Sequence, residues 1–331
     1  MKLGVIGAGA WGTAFAIHLA KQAYKISLWC YENKTAENIT KGENNDFLPG
    51  IEIPKLIKPT TQLSTVVEGA KAIFFAVPVQ NLASVVSRIS PHDISKAQIF
   101  ISLSKGIERS TGKLPSQIID EALKIPLKTI ALSGPSFADE VTKERPTVMV
   151  AAGNIQLSRD VRRIVASDYL RAYSSDDRVG VELSAALKNV LALASGMSDG
   201  LGLGENARSA LIVRGLAEMQ RLTLALGANP QTAFGIAGLG DLVLTCTSGK
   251  SRNYRFGQML AQGNPASKII SLNKWVAEGV FTAKAALELA KKHGVELPIT
   301  EQVSEVIEEN KTPLEVSYAL MTRPLKDEFP K

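Results

Sequence analysis

The sequence predicts an α/β protein in which a doubly wound sheet is followed by an all-helical part. Short apolar stretches that are typical of buried strands alternate with helical stretches up to about residue 178. From residue 179 onward the strand pattern stops and helical spacing of apolar residues takes over. The length of 331 residues also fits two domains. We therefore expect a sheet-based domain over residues 1–178 and a helical domain over residues 179–331.

Seven short apolar stretches are predicted to form the strands: residues 2–6, 25–30, 72–77, 98–103, 129–133, 147–152 and 170–174. Their alternation with helices predicts parallel strands joined by right-handed crossovers. Ligands of such sheets bind beyond the carboxyl ends of the strands. Three segments follow strands in this way: Val77-Pro78, Lys105-Gly106 and Gly134-Pro135-Ser136. These segments are candidates for a ligand site. Lys105 is its candidate cation, and the alternative is that Lys105 is an ordinary polar loop residue.

A glycine-rich segment, Gly-Ala-Gly-Ala-Trp-Gly over residues 7–12, lies between the first predicted strand and a helix. In this context Gly7 permits a tight turn, Gly9 lets the backbone approach a pyrophosphate, and Gly12 lets the helix pack closely on the strand. The helix N-terminus then offers unpaired N–H groups and the positive end of its dipole to the phosphates. The motif therefore predicts a Rossmann-type domain that binds a dinucleotide.

The end of the second predicted strand bears on which dinucleotide is bound. The sequence there is Cys30-Tyr31-Glu32, whereas a fold that binds NAD usually carries an acidic residue at the strand end to hold the ribose 2′-hydroxyl. Cys30 is small and uncharged and leaves room for a 2′-phosphate, but no arginine follows it directly and Lys34 lies slightly beyond. The choice between NADH and NADPH therefore stays open at this position.

The segment from Gly180 to about Gly196 is predicted to be a long helix that carries the candidate catalytic group. Lys188 lies off the apolar stripe of this helix, and its neighbours one turn away are mostly small, which leaves room for another molecule to approach the ammonium. The alternative is a surface lysine, or one whose stem lies along apolar surface while its charged end reaches solvent. The apolar stripe consists of Leu183, Leu187, Leu191 and Ala194.

Residues 248–253, Ser-Gly-Lys-Ser-Arg-Asn, have the composition of an anion site. They combine a glycine, two hydroxyls, an amide and two cations, and a helix is predicted to begin near Asn253. A helix start next to a forked guanidinium suits a phosphate group. The alternative is a capped helix start that is exposed to solvent.

The composition argues against several other classes of protein. The net charge is +6, but lysines and arginines are spread along the chain without a basic block, so nucleic-acid binding is not expected. No apolar run approaches the ~20 residues that span a membrane. The histidines, His18, His92 and His293, are scattered, so no metal site is expected. The only cysteines, Cys30 and Cys246, form no CxxC motif, which fits a reducing cytoplasm.

Eight segments of the chain together resemble the NAD(P)-dependent glycerol-3-phosphate dehydrogenases of bacteria. They are GAGAWGTAFA from residue 7, NDFLPG over 45–50, SKGIE over 104–108, LSGPSFADEV from 132, GVELSAALKNVLALASGMSDGLGLGENARSALIVRGLAEM from 180, GLGDLVLTCTS from 238, SRN over 251–253 and VAEGV from 276. The segments occur in the order of the family and cover nearly the whole chain. The segment from 180 is long enough to be highly specific.

The resemblance implies an enzyme that interconverts dihydroxyacetone phosphate and sn-glycerol 3-phosphate and so supplies the backbone of phospholipids. It also implies a cytoplasmic homodimer that uses NADPH or NADH, with NADPH favoured. Two other interpretations of the same residues are a related two-domain hydroxyacid dehydrogenase, whose substrate carries a carboxylate, and a protein that senses a dinucleotide without turnover.

The resemblance further implies roles for individual residues. Lys188 corresponds to the proton donor and acceptor, and Lys105 and Asp241 are the other catalytic residues; burial and the charge of Lys105 are expected to lower the pKa of Lys188. The implied substrate-binding residues are Lys105, Gly134, Ser136, Asn189, Asp241, Thr245, Ser251, Arg252 and Asn253. The cofactor-binding residues, with the glycines of the motif, are Gly7, Gly9, Ala10, Trp11, Gly12, Tyr31, Lys105, Ala138, Arg252, Val276 and Glu278.

Three residues depart from the usual pattern of this family. Ala10 stands where a serine is common, Tyr31 where a basic residue is common, and Tyr254 where an arginine is common. The loss of a hydroxyl at position 10 removes one hydrogen bond, about 1 kcal/mol. The tyrosine at position 31 weakens the preference for NADPH that the resemblance otherwise implies.

Overall fold

The computed structural model describes residues 1–94, 98–125, 128–272, 275–325 and 327–328, and these ranges contain an eight-stranded sheet. The strands are Lys2–Ile6 (β1), Lys25–Trp29 (β2), Ile57–Thr60 (β3), Ala72–Phe75 (β4), Ile99–Ser102 (β5), Thr129–Ser133 (β6), Thr147–Ala152 (β7) and Leu170–Ser175 (β8). The seven predicted strands are confirmed, with ends displaced by up to two residues. The sequence does not reveal β3 because it is a short edge strand that contains Pro59.

The sheet is mainly parallel, in the order β3-β2-β1-β4-β5-β6-β7-β8. The prediction of a fully parallel sheet is wrong at one place, because β7 runs antiparallel to β6, with Ser133 opposite Val150, and β8 is parallel to β7. The helix between β6 and β7, Ala138–Thr142, has five residues and is too short to carry the chain back across the sheet. As a result, β7 begins near the end at which β6 finishes.

Helices pack on the sheet and then form a layer of their own. Those of the sheet region are Ala10–Lys21 (α1), Asn33–Thr40 (α2), Leu63–Val67 (α3), Val79–Val86 (α4), Pro115–Leu123 (α5), Ala138–Thr142 (α6) and Ile155–Val165 (α7). The helical region contains Arg178–Gly200 (α8), Gly204–Ala225 (α9), Asp241–Cys246 (α10), Arg252–Ala261 (α11), Ala266–Leu272 (α12), Glu278–Lys292 (α13), Pro298–Ile307 (α14) and Pro313–Met321 (α15). A 3-10 helix, Pro230–Phe234, and a π-helix, Ile236–Gly240, precede α10.

The buried apolar residues form cores that follow this layering. One face of the sheet packs against α1 and α7, and the other face packs against α3, α4 and α5. Another core fills the helical region around α8. A small cluster, Ala131, Ala152, Val181 and Ala237, joins β6 and β7 to α8. This cluster places α8 directly against the sheet.

Helix α8 is the centre of the helical region. The predicted stripe of four apolar residues is buried, but so is every residue from Gly180 to Ser198, including Lys188, which is 7% exposed. Lys188 is therefore not the surface lysine of the alternative hypothesis. By length and composition α8 also resembles a membrane span, the one such helix in the described ranges. However, 94% of its apolar window is buried inside the protein, which is typical of a core helix.

Two side chains fix the first turns of α8 to the sheet region. Arg178 donates to Oδ2 of Asp120 at 2.7 Å and to the carbonyl oxygen of Thr129 at 2.9 Å. Glu182 accepts the N–H of Ser116 at 2.8 Å and its hydroxyl at 2.5 Å, at the start of α5. These buried polar contacts leave α8 little freedom to shift against β6.

The path of α8 brings Lys188 to the ligand edge of the sheet. Arg178 lies beside Thr129, where β6 begins. Ten residues of helix rise about 15 Å, which is close to the length of a five-residue strand. Lys188 follows Arg178 by ten residues and therefore lies near the end at which β6 finishes.

Candidate active site

The glycine-rich loop follows β1 and lies next to the end of β4. Gly7 has a φ of +112°, and a Cβ atom added there would lie 2.6 Å from the carbonyl oxygen of Ala76. A Cβ added at Gly12 would lie 1.9 Å from the carbonyl oxygen of Gly7. At Gly9, by contrast, no atom of the described residues other than its own chain neighbours lies within 4 Å of that position, so the space in front of α1 is open. The loop thus combines the tight turn, close packing and open approach that suit a pyrophosphate.

The first turn of α1 is available to a bound anion. Gly9 precedes the helix, Ala10 begins it, and no side chain in the described part of the chain caps this end. The indole Nε1 of Trp11 is buried without a hydrogen-bond partner among the described residues. Free N–H groups at a helix N-terminus attract phosphate, and an unpaired buried donor suits an acceptor on a bound molecule. These groups therefore fit a dinucleotide.

The end of β2 presents an aromatic surface. Tyr31 is 77% exposed, and its ring packs edge-on against Trp29 with the centroids 6.1 Å apart. Cys30 is buried in the core, so its side chain does not occupy the space beyond the strand end, and the room it leaves for a 2′-phosphate stays a prediction. Lys34 is exposed and pairs with Asp46 at 3.3 Å, so a 2′-phosphate would compete with Asp46 for it.

Three charged side chains that are distant in the sequence meet beyond the ends of β5 and β6. Lys188 donates to Oδ1 of Asp241 at 2.8 Å, and Lys105 donates to Oδ2 at 2.6 Å. Lys188 also donates to the hydroxyl of Thr245 at 2.8 Å, and that hydroxyl donates to the carbonyl oxygen of Asp241 at 2.6 Å. One buried carboxylate thus bridges two ammonium groups, and a hydroxyl fixes the direction of one of them.

The charges of this cluster act on one another. Burial lowers the pKa of Lys188 to about 8; the negative charge of Asp241 opposes the shift and the positive charge of Lys105 adds to it. Burial disfavours the charged form of Asp241, but the two ammonium groups outweigh this and hold its pKa below the ordinary value. Lys188 can therefore gain or lose a proton near neutral pH while Asp241 stays ionised.

The segment after β6 contacts Lys105. The carbonyl oxygen of Gly134 accepts from the ammonium of Lys105 at 3.1 Å and from the hydroxyl of Ser136 at 2.9 Å. Gly134 has a φ of +151°, which favours glycine. Gly134 and Ser136 thus lie beside the charged cluster, and Ala138 begins the helix that follows.

Two amides that the resemblance assigns to substrate binding bond to each other. The Nδ2 of Asn253 donates to Oδ1 of Asn189 at 2.9 Å, and the N–H of Gly279 donates to Oδ1 of Asn253 at 2.9 Å. A Cβ added at Gly279 would lie 2.4 Å from the carbonyl oxygen of Asn189, so α13 and α8 approach closely. Both amides are buried and join α8, α11 and α13 beside Lys188.

The start of α11 combines a serine that caps the helix with an exposed arginine. Ser251 accepts the N–H of Tyr254 at 3.2 Å, so its hydroxyl caps the helix. Lys250 forms ion pairs with two carboxylates of α6. Arg252 is exposed, and its guanidinium has no hydrogen bond or ion pair among the described residues. Of the two cations in this segment, Arg252 is thus the one available to a phosphate.

Glu278 begins α13 and reaches the sheet region. Its Oε1 accepts the N–H of Val79 at 3.3 Å, and its Oε2 is buried without a partner among the described residues. Burial raises the pKa of Glu278 to about 7, although the N–H of Val79 and the charge of Arg252 act in the opposite direction. Val276 lies two residues earlier and is exposed. The unpaired oxygen suits a hydrogen-bond donor on a bound cofactor.

Two models of one known protein family match most of the chain. The family model for the NAD-dependent glycerol-3-phosphate dehydrogenase N-terminus matches residues 2–158, and the model for the C-terminus of the same enzymes matches residues 177–318. The chain belongs to the NAD-dependent glycerol-3-phosphate dehydrogenase family. This confirms the resemblance drawn from the sequence motifs.

Individual glycerol-3-phosphate dehydrogenases match the chain over its full length. The chain is 46% identical to glycerol-3-phosphate dehydrogenase [NAD(P)+] of Citrifermentans bemidjiense, over 99% of this chain and 98% of that protein. It is 45% identical to the enzyme of the same name from Syntrophotalea carbinolica, over 99% and 100% of the two chains. The crystal structure of glycerol-3-phosphate dehydrogenase from Coxiella burnetii matches with a TM-score of 0.91 and 36% identity, over 97% and 99%.

Sequence analysis missed one polar network that supports the site of this glycerol-3-phosphate dehydrogenase family member. The hydroxyl of Tyr254 bonds to Asp199, which also accepts from Arg208 at 2.5 Å. The network joins the end of α8 to α9 and α11, and the departure from the family pattern at Tyr254 is the one sequence signal that points to it. In the described ranges, no group of three His, Cys, Asp or Glu side chains is arranged to hold a metal ion.

Proposed function

We propose that this protein reduces dihydroxyacetone phosphate to sn-glycerol 3-phosphate with NADPH or NADH, reversibly, in the cytoplasm and for glycerophospholipid synthesis. The proposal is carried by two ammonium groups, Lys188 and Lys105, held by one buried carboxylate at the ligand edge of a Rossmann-type sheet. The names of the relatives support the same reaction.

Lys188 is the proposed proton donor and acceptor. The reduced nicotinamide, when bound, supplies a hydride to the carbonyl carbon of the substrate. Negative charge then develops on the carbonyl oxygen, and Lys188 stabilises it and transfers a proton to it, which leaves a neutral amine and the product alcohol. In the oxidation direction the neutral amine takes the hydroxyl proton.

The partners of Lys188 have proposed supporting roles. Asp241 and Thr245 fix the direction of the ammonium, and Lys105 binds the substrate while its charge helps to lower the pKa of Lys188. Gly134 and Ser136 border the same space. A proton donor that is already aimed at the reacting oxygen does not have to be reorganised during the reaction.

The phosphate of the substrate is the proposed partner of the segment 251–253. Arg252 offers an unpaired guanidinium, and Ser251 orders the helix start from which it projects. Asn253 and Asn189 hold this start against α8 through their amide contact. Binding energy at the distant phosphate can thus position the carbonyl near Lys188.

The proposed cofactor site runs from the glycine loop toward α13. Gly7, Gly9, Gly12 and the first N–H groups of α1 hold the pyrophosphate, and Trp11 and Glu278 offer an unpaired donor and an unpaired acceptor. Ala138 and Val276 complete the set of proposed contacts. NADPH is favoured over NADH because Lys34 can leave Asp46 for a 2′-phosphate beside Tyr31.

Oxidation of NADPH in the presence of dihydroxyacetone phosphate tests the proposal. We expect turnover by the pure protein without added metal, because a positioned lysine can supply the proton. The catalytic efficiency should be higher with NADPH than with NADH. Absence of turnover by folded protein that still binds a dinucleotide would favour the sensor hypothesis, and turnover of a keto acid alone would favour the hydroxyacid dehydrogenase.

The protonation of Lys188 should appear in the pH dependence of the rates. Reduction needs the ammonium and oxidation needs the amine, and the pKa of Lys188 is lowered to about 8. We therefore expect kcat for reduction to fall above pH 8 and kcat for oxidation to rise toward pH 8. In the Lys105→Met variant, loss of a neighbouring positive charge should move both transitions to higher pH. Transitions that stay at the same pH in this variant would contradict the assignment.

We also propose the division of the chain into a cofactor domain over 1–178 and a substrate domain over 179–331. Strand β8 ends at Ser175 and α8 begins at Arg178, which supports a boundary in this short connection. The two family models, which match residues 2–158 and 177–318, support it as well.

A homodimer is the proposed assembly, formed through the face that α9, α14 and α15 share. Val213, Leu224 and Met321 are 57%, 61% and 82% exposed there and border a largely apolar cavity of about 1030 Å³. An exposed apolar patch of this kind often marks a binding surface. A symmetric dimer would use the same face on both copies.

The effect of a charge on this face tests the dimer. Sedimentation of the unchanged protein at micromolar concentration should give twice the mass of one chain, and Val213→Asp should give monomers because burial of a carboxylate is unfavourable. Leu272→Asp, an exposed leucine on α12 outside the cavity, serves as the control and should remain dimeric. A monomeric unchanged protein would contradict the proposal.

A further inference from the structure

Lys250 connects the helical region to the sheet region at the rim of the candidate site. Its ammonium lies 2.9 Å from Oδ2 of Asp139, 2.6 Å from Oε1 of Glu140 and 5.8 Å from the ring centroid of Phe137. These partners are neighbours in sequence at the start of α6. Lys250 therefore meets one small surface of α6 through two ion pairs and a cation–π contact.

Each of the joined segments carries proposed binding residues. Asp139 directly follows a proposed cofactor-binding residue, and Lys250 directly precedes Ser251 and Arg252. The turn that carries Lys250 is compact, because its N–H donates to the hydroxyl of Ser248 at 3.2 Å and the N–H of Ser251 donates to the carbonyl oxygen of Ser248 at 3.0 Å. A displacement of Lys250 is therefore passed on to Ser251 and Arg252.

We propose that Lys250 is a positioning residue that, by holding Asp139 and Glu140, sets the distance between the phosphate-binding segment and the cofactor-binding start of α6. The inference rests on the proposed function and deepens it. Exposed ion pairs add little to the stability of a fold. The expected effect is therefore on how well Arg252 is preorganised for the substrate phosphate, and the proposed role of Lys250 needs no contact with substrate or cofactor.

The double variant Asp139→Asn/Glu140→Gln separates positioning from simple attraction of charges. It removes both partners and leaves the charge of Lys250 in place. Positioning predicts that KM for dihydroxyacetone phosphate rises about 3- to 10-fold while kcat stays within about twofold. If Lys250 acted instead by attracting the phosphate, removal of the two negative charges would free its ammonium, and KM would fall rather than rise.

Variants of Lys250 and of a matched ion pair complete the test. Lys250→Gln should raise KM for dihydroxyacetone phosphate as much as the double variant does. Lys250→Arg should have the KM of the unchanged protein. The control is Lys284→Gln, because Lys284 pairs with Glu308 at 2.9 Å within the helical region. The two ion pairs are equally exposed: the side chains of Lys284 and Glu308 are 50% and 40% exposed, and those of Lys250, Asp139 and Glu140 are 48%, 42% and 40% exposed. This control should leave KM unchanged. A lower or unchanged KM in the double variant, or an equal rise in the control, would overturn the inference.

Trypsin cleavage gives a readout that does not depend on turnover. The peptide bond after Lys250 should be cut faster in the double variant than in the unchanged protein, because the turn is no longer held against α6. Equal cleavage rates would overturn the inference even if the unchanged protein proved inactive. If the unchanged protein is inactive, that result counts against the proposed function only. The cleavage rates then decide whether Lys250 is a positioning residue.

Discussion

Replacement of Lys188 by alanine is expected to lower the turnover of dihydroxyacetone phosphate by about 100- to 10,000-fold, the usual effect of removing a positioned general acid. The neighbouring ammonium of Lys105 does not share this position, because it is held on the opposite oxygen of Asp241. Affinity for NADPH should change little, since the glycine loop and α1 lie in the sheet region. Steady-state rates and a fluorescence titration of NADPH measure the two quantities.

A second variant guards against loss of structure at this buried position. Lys188→Ala leaves a cavity and leaves Asp241 with one cation, and both changes cost stability. Lys188→Met keeps most of the side-chain volume and removes only the charged group. Both variants should be nearly inactive, and thermal unfolding shows whether they are folded. If a folded variant retains more than about a tenth of the turnover, Lys188 is not the proton donor.

The parts of the site that the sequence predicts are those set by local geometry. Gly7, Gly9 and Gly12 occur within six residues, and the turn, the open approach and the close packing follow from the absence of their side chains. The contact of Asp241 with Lys188 and Lys105 spans 53 and 136 residues. No periodicity or spacing encodes such a contact, and only the resemblance to a known family anticipates it.

The error in the predicted sheet, the direction of β7, explains how α8 brings Lys188, the proposed proton donor, to the ligand edge. In a fully parallel sheet, α8 would begin at the ligand edge and carry Lys188 away from it. Because β7 and β8 run opposite to β6, α8 begins beside Thr129, at the opposite edge of the sheet, and runs from there toward the ligand edge. The direction of β7 depends on the shortness of α6, and strand pattern alone does not encode it.

Lys250 shows a second limit of residue patterns. Composition places Lys250 among the cations of an anion site, yet its ammonium is held by Asp139 and Glu140 of α6. Whether a side chain faces a site or a neighbouring element depends on tertiary packing. Arg252 is the cation of the predicted anion segment for which the described residues provide no hydrogen-bond or ion-pair partner.

Replacement of Arg252 by alanine is expected to lower the catalytic efficiency for dihydroxyacetone phosphate by at least about 100-fold. A charged hydrogen bond contributes about 1.5–3 kcal/mol, and a guanidinium can form two with one phosphate. Arg252→Lys keeps the charge but loses the fork, so it should also be impaired. Rates are measured at saturating cofactor, because the resemblance also places Arg252 near the cofactor.

Unphosphorylated dihydroxyacetone distinguishes loss of phosphate binding from general damage. It should be a very poor substrate of the unchanged protein, and Arg252→Ala should hardly worsen it, because the contact that the variant removes is already missing. Arg255→Ala is a matched control, since Arg255 is an exposed arginine of α11 one turn away whose guanidinium lies over the ring of Trp275. If Arg252→Ala impairs both substrates by the same factor, Arg252 does not bind the phosphate, and a carboxylate-bearing substrate becomes the better hypothesis.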